Sequence, residues 1–155
     1  MSTYFSYLKT EDITLIIAAD ENALISISRA DNLTTEQPNA ITLQAQKELK
    51  EFFSGKRKSF SIAISPSGSD FDQKVWSAIK DIPYGETRSY AQIARAVGNS
   101  KASRAVGNSC HANPLPFIIP CHRVIKTSGR LGNYGFGSRL KERLLILEHI
   151  NKAAI

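Results

Sequence analysis

The run Ser65-Pro66-Ser67-Gly68-Ser69-Asp70-Phe71-Asp72 (residues 65–72) separates two kinds of apolar spacing. Upstream, residues 4–9, 13–19 and 23–29 alternate as half-buried strands do, with Ile25 and Ile27 expected on one face and Ser26 and Ser28 on the other. Asp20-Glu21-Asn22 reads as a hairpin turn. After a polar loop, Ile41, Ala45, Leu49 and Phe52 follow helical spacing, and Gly55 stands where that helix should end. Phe60, Ile62 and Ile64 suggest one more short strand. Downstream, Ser69 with Asp72 forms a capping box for a helix whose buried stripe is Phe71, Val75, Ile79 and Ile82, stopped by Pro83-Tyr84-Gly85. A second helix from Ser89 buries Ile93, Ala94 and Val97 before Gly98, and Ser100 caps a third over about residues 101–111. Two helices joined by a short turn containing Gly match a helix-turn-helix. A last helix from Ser138 places Leu140, Leu144 and Leu147 on one face. Strands followed by helices predict an α+β chain, with lobes at 1–65 and 70–155 joined by a linker at 66–69.

Charge divides at the same place. Residues 1–69 carry 7 basic and 8 acidic side chains, whereas residues 70–155 carry 13 and 6. The whole chain has 155 residues, of which 42% are apolar and 22% charged, an ordinary balance that excludes a disordered or collagen-like chain. A basic lobe suits a polyanion, nucleic acid first, although charge that serves only solubility is as common a reason for such a balance. No apolar run is long enough to span a membrane, and residues 1–10 lack an export pattern, so a cytoplasmic protein without membrane attachment is expected. Cys110 and Cys121, with His111, His122 and His149, fit no common zinc spacing, and neither metal nor cofactor is expected. The string Arg-Ala-Val-Gly-Asn-Ser occurs at 95–100 and again at 104–109, too short and too few for a repeat architecture. The stretch 132–137 is glycine-spaced but lacks the strand and helix that flank a phosphate loop.

Pro114, Pro116 and Pro120 frame an apolar segment that leads to Cys121-His122-Arg123. A buried, inert cysteine is the plain reading. A nucleophile is the other: cysteine attacks alkyl carbon once ionised, and a free thiol near pKa 8.5 then needs a base. His122 is adjacent, although neighbours in an extended strand point to opposite faces, so direct contact is not assured and a bridging water could supply the link. Glu148 is a candidate to orient the imidazole.

Ile119-Pro120-Cys121-His122-Arg123-Val124 resembles the active-site signature of the O6-alkylguanine-DNA alkyltransferases, the methylated-DNA–protein-cysteine methyltransferases. Further blocks resemble the family in order: Phe71 with Val75-Trp76, Ile82 to Thr87, Ser89-Tyr90, Ser103-Arg104-Ala105-Val106-Gly107, Asn113-Pro114, Gly132-Asn133-Tyr134, and Lys141 with Leu144-Leu145 and Glu148. The resemblance covers about residues 70–150. It implies a ribonuclease-H-like first lobe and a winged-helix-like second one, whose recognition helix enters the minor groove of double-stranded DNA. It implies that Cys121 takes the alkyl group from guanine O6, and leaves O4-alkylthymine open as a second substrate, in a monomer spent after one turnover. His122 would draw the thiol proton through water, and Glu148 would orient it. Arg104 resembles the finger that fills the gap left by the flipped base, with Ser103, Ala105 and Gly107 beside it on the DNA-facing helix. Tyr90 would crowd the neighbouring phosphate and donate to the leaving guanine, and Asn113 resembles the hinge before the active-site strand. Val124, Tyr134, Gly135 and Phe136 match pocket positions. Where relatives often have proline near 99 or 100 this chain has Asn99-Ser100, Cys110 is unusual in the recognition helix, and Phe136 stands where glycine is frequent. The bulk of Phe136 is expected to disfavour large O6 substituents. A lesion sensor of the same shape, which would lack the nucleophile, and a small helix-turn-helix regulator, which would leave Cys121 idle, are the alternatives.

Overall fold

The structure, a computed structural model, describes residues 2–152; the expected outer bounds of the lobes, 1 and 155, lie outside the described residues. Two compact units part between Ser67 and Gly68. In the first, β1 (Tyr4–Lys9), β2 (Thr14–Ala19) and β3 (Leu24–Arg29) form an antiparallel sheet in that order. The Asp20 carboxylate makes the β2–β3 turn by accepting the backbone N–H groups of Asn22 and Ala23 at 2.7 and 2.9 Å, which holds its pKa below the usual range. On β3 the inward residues are Leu24 and Ile27, and Ile25 is only half-buried. The expected alternation fails there because Ala19 pairs with Leu24 while Ala18 pairs with Ser26, leaving Ile25 as a bulge. Helix α1 (Ala40–Phe53) starts at an Asn39–Thr42 capping box and packs Ala45, Leu49 and Phe52 against the sheet. The strand expected at 60–64 does not form. A single bridge joins Ile64 to Leu24, and Pro66, which has no N–H, cannot lengthen the ladder.

In the second unit, α2 (Asp70–Lys80), α3 (Tyr90–Ala96) and α4 (Ser103–His111) pack on one another, and α5 (Ser138–Asn151) follows. Capping boxes at Ser69–Asp72 and Ser89–Gln92 start α2 and α3. Ser100 does not cap α4; its first turn follows Ala102 and has no side-chain cap. The Asn99 side chain accepts from the N–H of Lys101 instead, so the connection from α3 runs over residues 97–102, longer than the expected short turn at Gly98. Val75, Trp76 and Ile79 are the buried face of α2, with Phe71 half-buried. Trp76 Nε1 donates to the Ser109 carbonyl at 2.8 Å, and the Ser109 hydroxyl donates to Asp72 at 2.6 Å. The residues that cap and fill α2 thereby brace α4. A two-residue parallel pair, β4 (Arg88–Ser89) with β5 (Val124–Ile125), joins the start of α3 to the chain just after Cys121. On α5 the buried face is Leu140, Lys141, Leu144 and Glu148, with Leu147 half-buried. No helix among the described residues is long and apolar enough to cross a membrane.

Candidate active site

The segment expected to run extended into Cys121 folds back on itself. Ile119 N–H donates to the Leu115 carbonyl at 2.9 Å, Pro116 bridges Ile119, and Phe117 takes φ 74°, a left-handed conformation that is rare for a bulky side chain. Prolines at 114, 116 and 120 lack the N–H groups a strand ladder needs, so a turn forms. Cys121–Arg123 then make one 3₁₀ turn, in which successive side chains diverge by about a third of a turn rather than to opposite faces.

Asn113, two residues past α4, organises this turn. Its amide nitrogen donates to the Ile119 carbonyl at 2.8 Å and to Cys121 Sγ at 3.3 Å, and its oxygen accepts from Leu115 N–H at 2.9 Å. Cys121 is 7% exposed, and burial pushes its pKa up, against the opposing pull of the Asn113 donor and the Lys141 charge. The resting group is a thiol that needs a base.

His122 and Glu148 stand behind it, both fully buried, with His122 Nε2 2.6 Å from Glu148 Oε2. The same carboxylate accepts from Arg123 Nε and Nη2 at 2.8 and 3.0 Å and from Gly85 N–H at 3.3 Å, while Arg123 Nη1 donates to the Ile82 carbonyl at 2.8 Å. Burial raises the Glu148 pKa, but the bonds and charges of His122 and Arg123 outweigh it and bring the carboxyl down to about 2. Burial holds His122 below its usual pKa, so at neutral pH it is an uncharged ring. Facing a carboxylate, Nε2 carries the proton, and Nδ1 is the basic nitrogen.

Cys121 opens onto a cavity of about 750 Å³. It is lined by Tyr90 of α3, by Ser103, Arg104, Gly107 and Cys110 of α4, and by Lys126 and the loop Gly132, Asn133, Tyr134 and Gly135. Gly132 has φ 78°, and a Cβ there would lie 3.1 Å from the Tyr90 hydroxyl, so the loop closes on Tyr90 only because this residue is glycine. Burial pushes the pKa values of Tyr90 and Cys110 to about 12, which keeps both as neutral O–H and S–H groups. A hollow of about 840 Å³ between α2 and α3, lined by residues that include Gln73, Lys74 and Arg88, contains neither thiol nor imidazole.

Residues 70–150, which hold every side chain of this site, match the family model described as 6-O-methylguanine DNA methyltransferase, DNA binding domain. The constitutive methylated-DNA–protein-cysteine methyltransferase of Bacillus subtilis is 42% identical over 159 residues, covering 96% of each chain. The chain belongs to this methyltransferase family. A second member, from Methanosarcina acetivorans, is 50% identical over 105 residues, 68% of this chain and 67% of the relative. The crystal structure of Mycobacterium tuberculosis OGT in complex with DNA is similar at a TM-score of 0.85 and 36% identity, covering 95% of this chain and 93% of that one.

Seven of the methyltransferase residues expected from sequence line the cavity together: Cys121, Tyr90, Ser103, Arg104, Gly107, Tyr134 and Gly135. His122, Glu148 and Asn113 form the layer around the sulfur. Ala105 lies on α4 half-buried and outside the lining, and Val124 is buried with its carbonyl accepting from Lys141. Phe136 also stands outside the lining; it stacks on Phe117 at 5.4 Å and meets Tyr134 edge-on at 5.8 Å. Arg123 is held by Glu148, as a structural ion pair. Lys141 stands in the sequence block with Leu144-Leu145 and Glu148, but the sequence reading gives it no role. Its signal was its place at i, i+3, i+7 with Leu144 and Glu148, which puts a lysine on the same face as a buried acid.

Proposed function

We propose that the chain repairs DNA by direct transfer of the alkyl group from O6-alkylguanine in double-stranded DNA to Cys121, once per molecule. The observation that carries this is Cys121 opening onto a cavity whose lining includes Ser103 and Arg104 of α4. An alkyl group on a stacked base is out of reach, so the nucleotide is extruded into the cavity at a cost of a few kcal/mol. His122 Nδ1 takes the thiol proton through a water, and Glu148 holds the ring. The thiolate attacks the alkyl carbon: a C–S bond forms as the C–O6 bond breaks, and the electron pair stays on guanine. Tyr90, still protonated at neutral pH, donates to a ring nitrogen of the departing base. The thioether has no route back, which makes the protein a stoichiometric reagent. The reading includes a ribonuclease-H-like first unit, a winged-helix-like second unit with β4–β5 beside α3 and α4, and a cytoplasmic monomer.

Mass spectrometry after incubation with duplex O6-methylguanine DNA tests it. The reading requires Cys121 to gain one methyl in place of a hydrogen; a chain that binds the duplex and gains nothing is a lesion sensor instead.

Two side chains sharpen the test. Arg104→Ala should slow repair in duplex DNA by about tenfold or more, because flipping costs a few kcal/mol, and leave reaction with free O6-methylguanine nearly unchanged. Equal losses on both substrates would remove Arg104 from the finger role. Phe136→Gly should raise the benzyl-to-methyl rate ratio by roughly tenfold, the scale on which apolar pockets discriminate, by freeing Tyr134 at the cavity wall. An unaltered ratio shows that Phe136 does not set substrate size.

A further inference from the structure

Lys141 is fully buried on α5. Its Nζ donates to the Val124 carbonyl at 2.7 Å and the Asn133 carbonyl at 3.4 Å, and lies 5.9 Å from the centre of the Tyr90 ring. Val124 is the third residue after the nucleophile, and Asn133 lines the cavity, so one ammonium ties the chain just past Cys121 to the loop that forms part of the cavity wall. Among the described residues no carboxylate pairs with it. A buried ammonium with only neutral acceptors is costly, and such groups persist where their charge has an opposite to face.

The groups around it show what that opposite is. Cys110 on α4, Tyr90 on α3 and Tyr134 on the loop are all held protonated by burial. His122 is neutral, and Glu148 is already matched by Arg123. Of these neighbours, Cys121 is the one whose ionisation the proposed reaction demands. Lys141 acts on it electrostatically, drawing both thiols toward ionisation; burial holds the lysine's own pKa below its usual value, and the two thiols work against that shift.

We propose that Lys141 is a positioning residue that ties the chain just past Cys121 to the cavity loop and supplies the positive charge against which the Cys121 thiolate forms. This rests on Cys121 being the alkyl acceptor. His122 removes the proton, and Lys141 stabilises what is left behind. Its neutral acceptors leave its charge free for that task.

The test is the pH dependence of Cys121 alkylation by iodoacetamide in the full chain, with the modified cysteine located by peptide mass. Lys141→Met should move the midpoint upward by about one unit, which slows reaction about tenfold at neutral pH, and Lys141→Arg should restore most of it. A Met variant that melts earlier but keeps the midpoint makes Lys141 a structural clamp alone and overturns the proposal. Should Lys141→Met not fold, the lysine ammonium can be titrated by NMR in the natural chain and in Cys121→Ala. Losing the thiolate should lower the lysine's midpoint, and equal midpoints overturn the coupling. Iodoacetamide reads the charge without DNA. A chain with these shifts that takes no methyl from O6-methylguanine DNA would keep Lys141 in its role and remove the repair reading instead.

Discussion

Cys121→Ala is expected to abolish alkyl transfer completely while the protein still binds duplex DNA containing O6-methylguanine. The loss is total rather than partial because the sulfur is a reactant: without it no C–S bond can form, and the remaining donors in the cavity have nothing to stabilise. Cys110 lines the same cavity, but burial holds its pKa at about 12, and a thiol so rarely ionised is no substitute. The fold should survive with a cost of about 1 kcal/mol, the usual scale for a small truncation. Asn113 keeps its 2.8 Å bond to the Ile119 carbonyl and Leu115 keeps its bond to Asn113, so the turn is still braced. Gel-shift binding and mass spectrometry on the same sample separate the two properties. A methyl group found on the variant would place the acceptor elsewhere and sink the proposed function, with Cys110 the first residue to map.

Much of this site can be read in the sequence, and the parts that cannot are instructive. Capping boxes at Ser69 and Ser89 are local, three-residue signals, and both helices start where those signals put them. The start of α4 is misread because Ser100 has the right chemistry at the wrong place: Asn99 tightens the turn first, and the helix begins after Ala102 with no cap. Ile25 fails for a different reason, since a bulge is a property of two paired strands and leaves no mark in one. The proline-framed approach to Cys121 reads as extended because each Pro disfavours helix, yet the missing N–H groups equally prevent a ladder, and a turn with Phe117 at φ 74° is the outcome. His122 and Glu148 are legible as a chemical pair. The bonds of Arg123 to Glu148 and of Lys141 to the Val124 carbonyl become visible only when α5 is laid against the turn.

Glu148→Gln is the substitution expected to cost most in stability. One buried carboxylate meets four donors: His122 Nε2, Arg123 Nε and Nη2, and Gly85 N–H. Glutamine has the same shape but offers one acceptor oxygen and sets an NH₂ against donors, and it leaves the Arg123 guanidinium, 6% exposed, without its countercharge. Breaking one side of a buried ion pair costs about 3–5 kcal/mol, a large part of the roughly 5–15 kcal/mol that keeps a domain folded. The pH dependence identifies the cause. The Glu148 carboxyl titrates at about 2 in the folded protein against a usual 4.5, so its stabilisation is complete above the usual value and fades as pH falls from there through the folded one. His122, held below its usual 6.5 by burial, also favours unfolding as the solution is acidified, and because the Glu148 carboxylate works against that lowering the variant feels it at least as strongly. As the carboxylate is protonated, the gap in unfolding free energy between the natural chain and Glu148→Gln should narrow steadily below pH 4.5. Urea titrations at a neutral and a strongly acidic pH measure it. A gap of constant size across that range would mean that the carboxylate's charge is not what holds α5 to the turn carrying Cys121, and that its shape alone does so.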